Sequence, residues 1–120
     1  MANSEVRASA KYIRISPQKM RQVLSLVRGK TVEEALDLLE LVPKRGARLL
    51  KKVVESAAAN ARQENSDCDP SEMVIHRVWA DTGPRLRRVR PRARFRRDIY
   101  VRPTSHVTVV LSIPRAEASS

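Results

Sequence analysis

Thr82-Gly83-Pro84-Arg85-Leu86-Arg87-Arg88-Val89-Arg90-Pro91-Arg92-Ala93-Arg94-Phe95-Arg96-Arg97 holds eight arginines and no acidic residue. Arg88, Arg90, Arg92, Arg94 and Arg96 recur at every second position, so an extended chain sets all five on one face. The opposite face shows Val89, Pro91, Ala93, Phe95 and Arg97, which is mainly apolar. A helix would scatter these charges around its axis, and Pro84 and Pro91 oppose one. Pro91 equally bars a central position in a sheet. What remains is a two-arm extended segment, out along 82–91 and back along 94–104. Each arm of about ten residues reaches roughly 30 Å at ~3.3 Å per residue. A compact domain of this size has a radius of gyration of only about 13 Å. The segment must project from the body.

Charge sets the class of partner. The 120 residues carry 24 Lys plus Arg against 13 Asp plus Glu, a formal net charge of +11. Removing the eight clustered arginines from +11 leaves +3, so the excess is mostly local. Arginine adds a planar fork that grips phosphate bidentately, where lysine would supply bulk charge alone. Free in water such an arm repels itself; among phosphates its ordering becomes favourable. The balance points to a polyanion, either a nucleic acid or an anionic membrane surface. A membrane surface fits less well, because no helix pairs a basic face with bulky apolar anchors. RNA and DNA both remain, since phosphate affinity is common to them.

Other classes drop out. Apolar residues make up 42% of the chain, enough for one packed domain over 1–120. Cys68 is the sole cysteine, so no internal disulfide forms, and nothing around it supplies a zinc cluster. Met1-Ala2-Asn3-Ser4-Glu5 lacks a basic, then apolar, leader, and no apolar run approaches the ~18 residues of a membrane span. A cytoplasmic location is expected. The aromatics are Tyr12, Trp79, Phe95 and Tyr100, too few to build base-stacking platforms. Three glycines leave no phosphate-cradling loop. His76 and His106 sit in or beside strands, and Ser105 next to His106 points to the opposite face. No catalytic residue, cofactor or metal is expected.

The elements around the arginine segment read as an α+β body, strand then three helices then two strands. Glu5–Ile15 alternates as a strand. Ser16 then Pro17 starts a helix whose stripe is Met20, Val23, Leu24 and Val27, closed by Gly29. Thr31-Val32-Glu33-Glu34 is a capping box, with the stripe Val32, Ala35, Leu36, Leu39 and Val42 behind it. Pro43 ends that helix, and a third runs from Lys44 to near Arg62. Its apolar face is Ala47, Leu50, Val54, Ala57, Ala58 and Ala61. Its other face carries Lys44, Arg48, Lys51 and Lys52, either a solvated face or a second basic surface. After a loop at 65–71, Met73–Ala80 and Val107–Ile113 read as strands, with a loose tail beyond Pro114.

Four blocks resemble one family. Ser9-Ala10-Lys11-Tyr12-Ile13-Arg14-Ile15-Ser16-Pro17-Gln18-Lys19 with Val27-Arg28-Gly29-Lys30 resembles the opening of bacterial large-subunit ribosomal protein L-twenty-two. Glu55-Ser56-Ala57-Ala58-Ala59-Asn60-Ala61 is similar to its third-helix signature. Asp81-Thr82-Gly83-Pro84, Arg87-Arg88, Pro91-Arg92-Ala93 and Thr104-Ser105-His106-Val107-Thr108-Val109-Val110 look like its hairpin and final strand. The family usually has Glu at the place of Thr82, Gly at that of Phe95 and a basic residue at that of Pro103.

The resemblance implies a three-helix body with a small antiparallel sheet and a long projecting β-hairpin over 82–104. It implies a structural constituent of the large ribosomal subunit, not an enzyme, that supports subunit assembly and lines the nascent-peptide exit tunnel. The implied partners are large-subunit (23S-type) rRNA, neighbouring ribosomal proteins and the nascent peptide, with no membrane and no homo-oligomer. The rRNA-binding candidates are Lys11, Arg14, Lys19, Arg21, Lys30, Arg85, Arg87, Arg88, Arg90, Arg92, Arg94, Arg96, Arg97, Arg102 and His106. The implied tunnel-lining tip is Arg90, Pro91, Arg92, Ala93 and Arg94.

Overall fold

The computed structural model describes residues 3–92 and 96–114. The elements run β1 (Asn3–Ile13), α1 (Pro17–Val27), α2 (Val32–Leu41), α3 (Arg45–Glu64), β2 (Val74–Thr82), β3 (Leu86–Arg92), β4 (Arg96–Arg102) and β5 (Ser105–Pro114). β5 lies between β1 and β2 in an antiparallel three-stranded sheet, while β3 and β4 form a separate two-stranded ribbon. This is the expected α+β body with a hairpin.

The most apolar strand takes the middle of the sheet. Val107, Val109, Leu111 and Ile113 of β5 are buried beside Val6 and Ala8 of β1 and Ile75, Val78 and Ala80 of β2. Ile75 and Val78 are three residues apart and would face opposite sides of a regular strand. A register shift between Ile75 and Arg77 adds the extra residue that turns both toward the core.

Local chemistry sets the helices. Ser16 caps α1 by accepting the Lys19 amide at 3.2 Å, with Pro17 at the first helical position. Thr31 Oγ1 accepts the Glu34 amide at 3.3 Å, the hydroxyl half of the expected capping box. Gly29, at φ +82°, turns the chain between α1 and α2 in a conformation that a side chain would strain. The stripe Met20, Val23, Leu24 and Val27 is fully buried. α3 buries Ala47, Leu50, Val53, Val54, Ala57, Ala58 and Ala61 against the sheet and the other helices. Each large side chain buried there contributes roughly 1.5–3 kcal/mol.

Boundaries move in three places. β1 stops at Ile13, not Ile15, because its ladder shifts register after Ala10 and Tyr12 adopts φ +60°. Ile15 turns into the core instead. α3 reaches Glu64, beyond Arg62, and is closed by Asn65 N–H donating to the Ala61 carbonyl. The body sheet also claims residues assigned to the arms: Thr82 pairs with Ser105, so the free ribbon spans 86–102 within the expected 82–104.

The molecule measures 76 × 26 × 17 Å, with a radius of gyration of 18.1 Å. A compact chain of this length would give about 13–14 Å. The ribbon accounts for the difference.

Candidate nucleic-acid interface

The ribbon leaves the body through a clamp of short contacts. Gly83 N–H donates to the Thr104 carbonyl at 2.9 Å, and Thr104 Oγ1 donates back to the Pro84 carbonyl. A Cβ on Gly83 would collide with Thr104 Oγ1, so a side chain at this crossing would have to displace that hydroxyl. Ser105 Oγ donates to the Ile15 carbonyl at 2.6 Å, tying the return strand to the start of α1. His106 Nδ1 accepts the Tyr12 amide at 3.1 Å, and the two rings meet edge-on at 5.0 Å. His106, expected among the RNA contacts, therefore has a structural partner as well.

Beyond the clamp, register orders the arginine positions. Arg88 pairs with Tyr100, Arg90 with Asp98 and Arg92 with Arg96. Positions 88, 90 and 92 alternate along β3, and position 96 stands opposite 92, so these four share one face of the ribbon. Arg87 pairs with Val101, and Pro91 with Arg97, in the opposite phase. Pro91 is tolerated because a two-stranded ribbon has no central strand. Arg85 and Arg87 are exposed. Ala93 and Arg94, part of the expected tip, lie outside the described residues, as does Phe95.

On the body the cations divide. Arg14, Lys19, Arg45 and Arg102 line one cleft of about 380 Å³ at the ribbon's root, with Ile15, Ser16 and Pro103. An adjoining cleft of about 360 Å³ shares Ile15, Lys19 and Arg45 and adds Gln22, Val23, Lys44 and Gly46. Arg45 was missed by sequence reasoning. The signal was present in Lys44-Arg45, two cations at a helix start with no acid in the first turn. Lys11 and Lys30 are exposed outside these clefts. Arg21 donates to the Ala80 carbonyl at 3.3 Å, and Arg28 to the Val78 carbonyl at 3.0 Å. Both arginines thus cover the open edge of β2, a use that composition does not reveal.

The basic face of α3 is likewise split. Lys51 reaches Glu40 of α2 at 2.8 Å, and Lys44 donates to Gln22 Oε1 at 3.4 Å. The Lys51 ammonium, by hydrogen bond and charge, holds the Glu40 carboxyl below its usual range. Glu40 in turn raises Lys51. Arg48 and Lys52 stay exposed. The Cys68 thiol is buried, and that burial first, then Glu72 and Asp69, pushes its pKa up. Such a thiol is inert. Among the described residues no group of three His, Cys, Asp or Glu could hold a metal, and no helix is long and apolar enough to cross a membrane.

The geometry is that of a basic ribbon clamped to a small body, with further cations gathered at its foot. Comparison with known proteins agrees. Residues 8–112 match the family described as ribosomal protein L22p/L17e. The large ribosomal subunit protein uL22 of Desulforamulus reducens is 52% identical over 108 residues, covering 90% of this chain and 95% of that protein. The uL22 of Thermus thermophilus is 50% identical over 107 residues, covering 89% and 94%. That of Pseudothermotoga lettingae is 44% identical over 116 residues, covering 97% and 83%. The chain belongs to the L22p/L17e family, the structural, non-enzymatic proteins of the large subunit of the cytoplasmic ribosome.

Proposed function

We propose that this chain binds large-subunit rRNA with its arginine ribbon and the cations around the ribbon's root. In doing so it supports subunit assembly beside neighbouring ribosomal proteins. The observation that carries this reading is the ribbon itself: eight arginines between 82 and 97, without an acid, in a molecule 76 Å long. So dense a like-charged ribbon is favourable only where a polyanion supplies the counter-charge. The body candidates are Lys11, Arg14, Lys19, Arg21, Lys30 and Arg102; the ribbon candidates are Arg85, Arg87, Arg88, Arg90, Arg92, Arg94, Arg96 and Arg97.

Salt dependence tests it. Replacing Arg88, Arg90, Arg92, Arg94 and Arg96 together by Gln flattens the log–log salt slope of rRNA binding by several units, at ~0.7–0.9 per phosphate contact. An unchanged slope overturns the ribbon's part in binding.

The family resemblance carries the reading one step further: the far end of the ribbon, around Arg90–Arg94, lines the nascent-peptide exit tunnel and meets the peptide. Deleting Arg90–Arg94 leaves incorporation into large subunits largely intact, because Arg85, Arg87, Arg96 and Arg97 flank the gap. It changes how a tunnel-binding macrolide or a stalling peptide acts on translation. Normal incorporation with both responses untouched would rule the tunnel role out.

A further inference from the structure

Two of the described residues sit at positive φ: Gly29 at +82° and Tyr12 at +60°. Glycine takes that conformation at no steric cost, whereas a tyrosine Cβ crowds the neighbouring carbonyl and strains the backbone. Tyr12 lies in the register shift of β1. Ala10 pairs with Val107 and Ile13 with Ser105, so β1 carries one extra residue there. Bulges of this kind re-aim a side chain, and their left-handed position favours glycine. Tyrosine is the costly choice.

Burial does not offset the strain, because Tyr12 is 64% exposed. Its amide donates to His106 Nδ1 at 3.1 Å, and the two rings stand 5.0 Å apart at 88°. An edge-on pair leaves at least one π-face of the phenol open. Trp79 shows the contrast. Arg7 lies over its ring at 5.8 Å, and its indole N–H donates to Asp81 at 3.1 Å. The Trp79 ring is already in use; the Tyr12 ring is pinned and left open.

Strained backbone that its surroundings hold in place clusters at functional positions. The neighbours indicate what arrives. Lys11 and Arg14 flank Tyr12 and are exposed, and Ser105, beside His106, opens the strand that follows the ribbon. A strand of RNA whose phosphates pass these cations brings its bases alongside. An unpaired base has a flat π-face that stacks on a phenol. Four aromatics cannot build a platform for a run of bases, but one ring suffices for one base.

We infer that Tyr12 is a stacking post for a single unpaired base of the bound RNA, with His106 as the residue that positions it. The inference rests on the rRNA-binding reading and goes past it. Cations hold the backbone without regard to sequence, whereas Tyr12 requires a base that stands out of its helix. Tyr12 therefore helps to fix where on the RNA the protein sits. Stacking releases no counterions, so its signature differs from that of the arginines.

The test uses the full-length protein and large-subunit rRNA, with Tyr12→Gly, Tyr12→Asn and Tyr12→Phe beside the parent. The readouts are affinity across a series of salt concentrations and the melting temperature of the free protein. Glycine and asparagine both accept the left-handed conformation, and neither offers an aromatic ring. Each is expected to weaken binding about 5- to 150-fold at every salt concentration, with the log–log slope unchanged. Each melts at or above the parent temperature, because the strain has left the bulge. Tyr12→Phe keeps the ring and binds as the parent does.

Parent-like affinity of the Gly and Asn variants, beside an ordinary steep slope, overturns the stacking and leaves the ribbon reading standing. A loss that comes with a flattened slope also overturns it, since the effect then lies in Lys11 and Arg14. A loss that comes with lowered melting makes Tyr12 merely structural, and an equal loss in Tyr12→Phe assigns the contact to the hydroxyl. Either result overturns the stacking. If the parent itself shows no salt-dependent binding to rRNA, the wider reading falls and the stacking with it.

Discussion

The body and the ribbon of this protein are held by different forces. In the body, Met20, Leu24, Leu50, Ile75 and Leu111 are fully buried, and the sheet packs on α3. In the ribbon, β3 and β4 pair with each other as an isolated two-stranded sheet. An isolated hairpin is at best marginally stable in water, and this one carries a run of like charges besides. Burial makes the body a fold without help; the ribbon's like charges repel one another, and an anionic partner would relieve them. The difference teaches that folding and the proposed RNA binding call on different side chains, so they should separate under substitution.

The largest expected effect lies in the body. Leu50→Ala empties a fully buried site and costs about 2–5 kcal/mol of stability in urea unfolding. The five-arginine ribbon variant leaves that unfolding free energy unchanged or raises it, since self-repulsion falls. If the ribbon variant unfolded as readily as Leu50→Ala, the division between the regions would be wrong.

The clamp joining them comes next. Gly83→Ala drives a Cβ against Thr104 Oγ1, breaking its bond to the Pro84 carbonyl, at a cost of about 1–3 kcal/mol. Gly46→Ala costs less, because its nearest contacts stand off at 3.2 Å, whereas at Gly83 the Thr104 hydroxyl lies far closer and the Thr104 backbone stands behind it. Equal losses at both glycines, by thermal melting, would mean that the clamp carries no special constraint. Thr31→Ala removes the cap of α2 and costs ~1 kcal/mol, again by melting.

The smallest effect is the surface pair of Lys51 and Glu40. The lowered carboxyl gives a contribution present above its unfolded pKa and lost as pH falls through its folded one. The raised ammonium gives one present below its unfolded pKa and lost as pH rises through its folded one. Lys51→Met returns the Glu40 carboxyl toward its ordinary range in an NMR titration. Stability hardly moves, because the pair is solvent-screened.

Much of the body was legible in the sequence because its signals are local. Ser16-Pro17, Thr31 with Glu34, and the stripes of α1 and α3 each act within a few residues. What escaped is non-local. The bulge that turns both Ile75 and Val78 inward depends on pairing with β5, far along the chain. The end of β1 is settled by Tyr12 meeting His106, 94 residues away. At the interface the ribbon was readable from alternation alone. Arg45 offered only the bare pair Lys44-Arg45 at a helix start, because its place beside Lys19 and Arg102 exists only once α3 packs on α1. Arg21 was read as an RNA contact, yet it also holds the edge of β2, which no spacing rule announces.

Amide hydrogen exchange, followed in the free protein and again with large-subunit rRNA bound, tests the central contrast most directly. The account predicts slow exchange in α3 and β5 in both states. For β3 and β4 it predicts fast exchange in the free protein and strong protection on the RNA. Strong protection of the Arg88–Arg92 and Arg96–Arg102 amides in the isolated protein would contradict it, since the ribbon would then hold itself without a counter-charge.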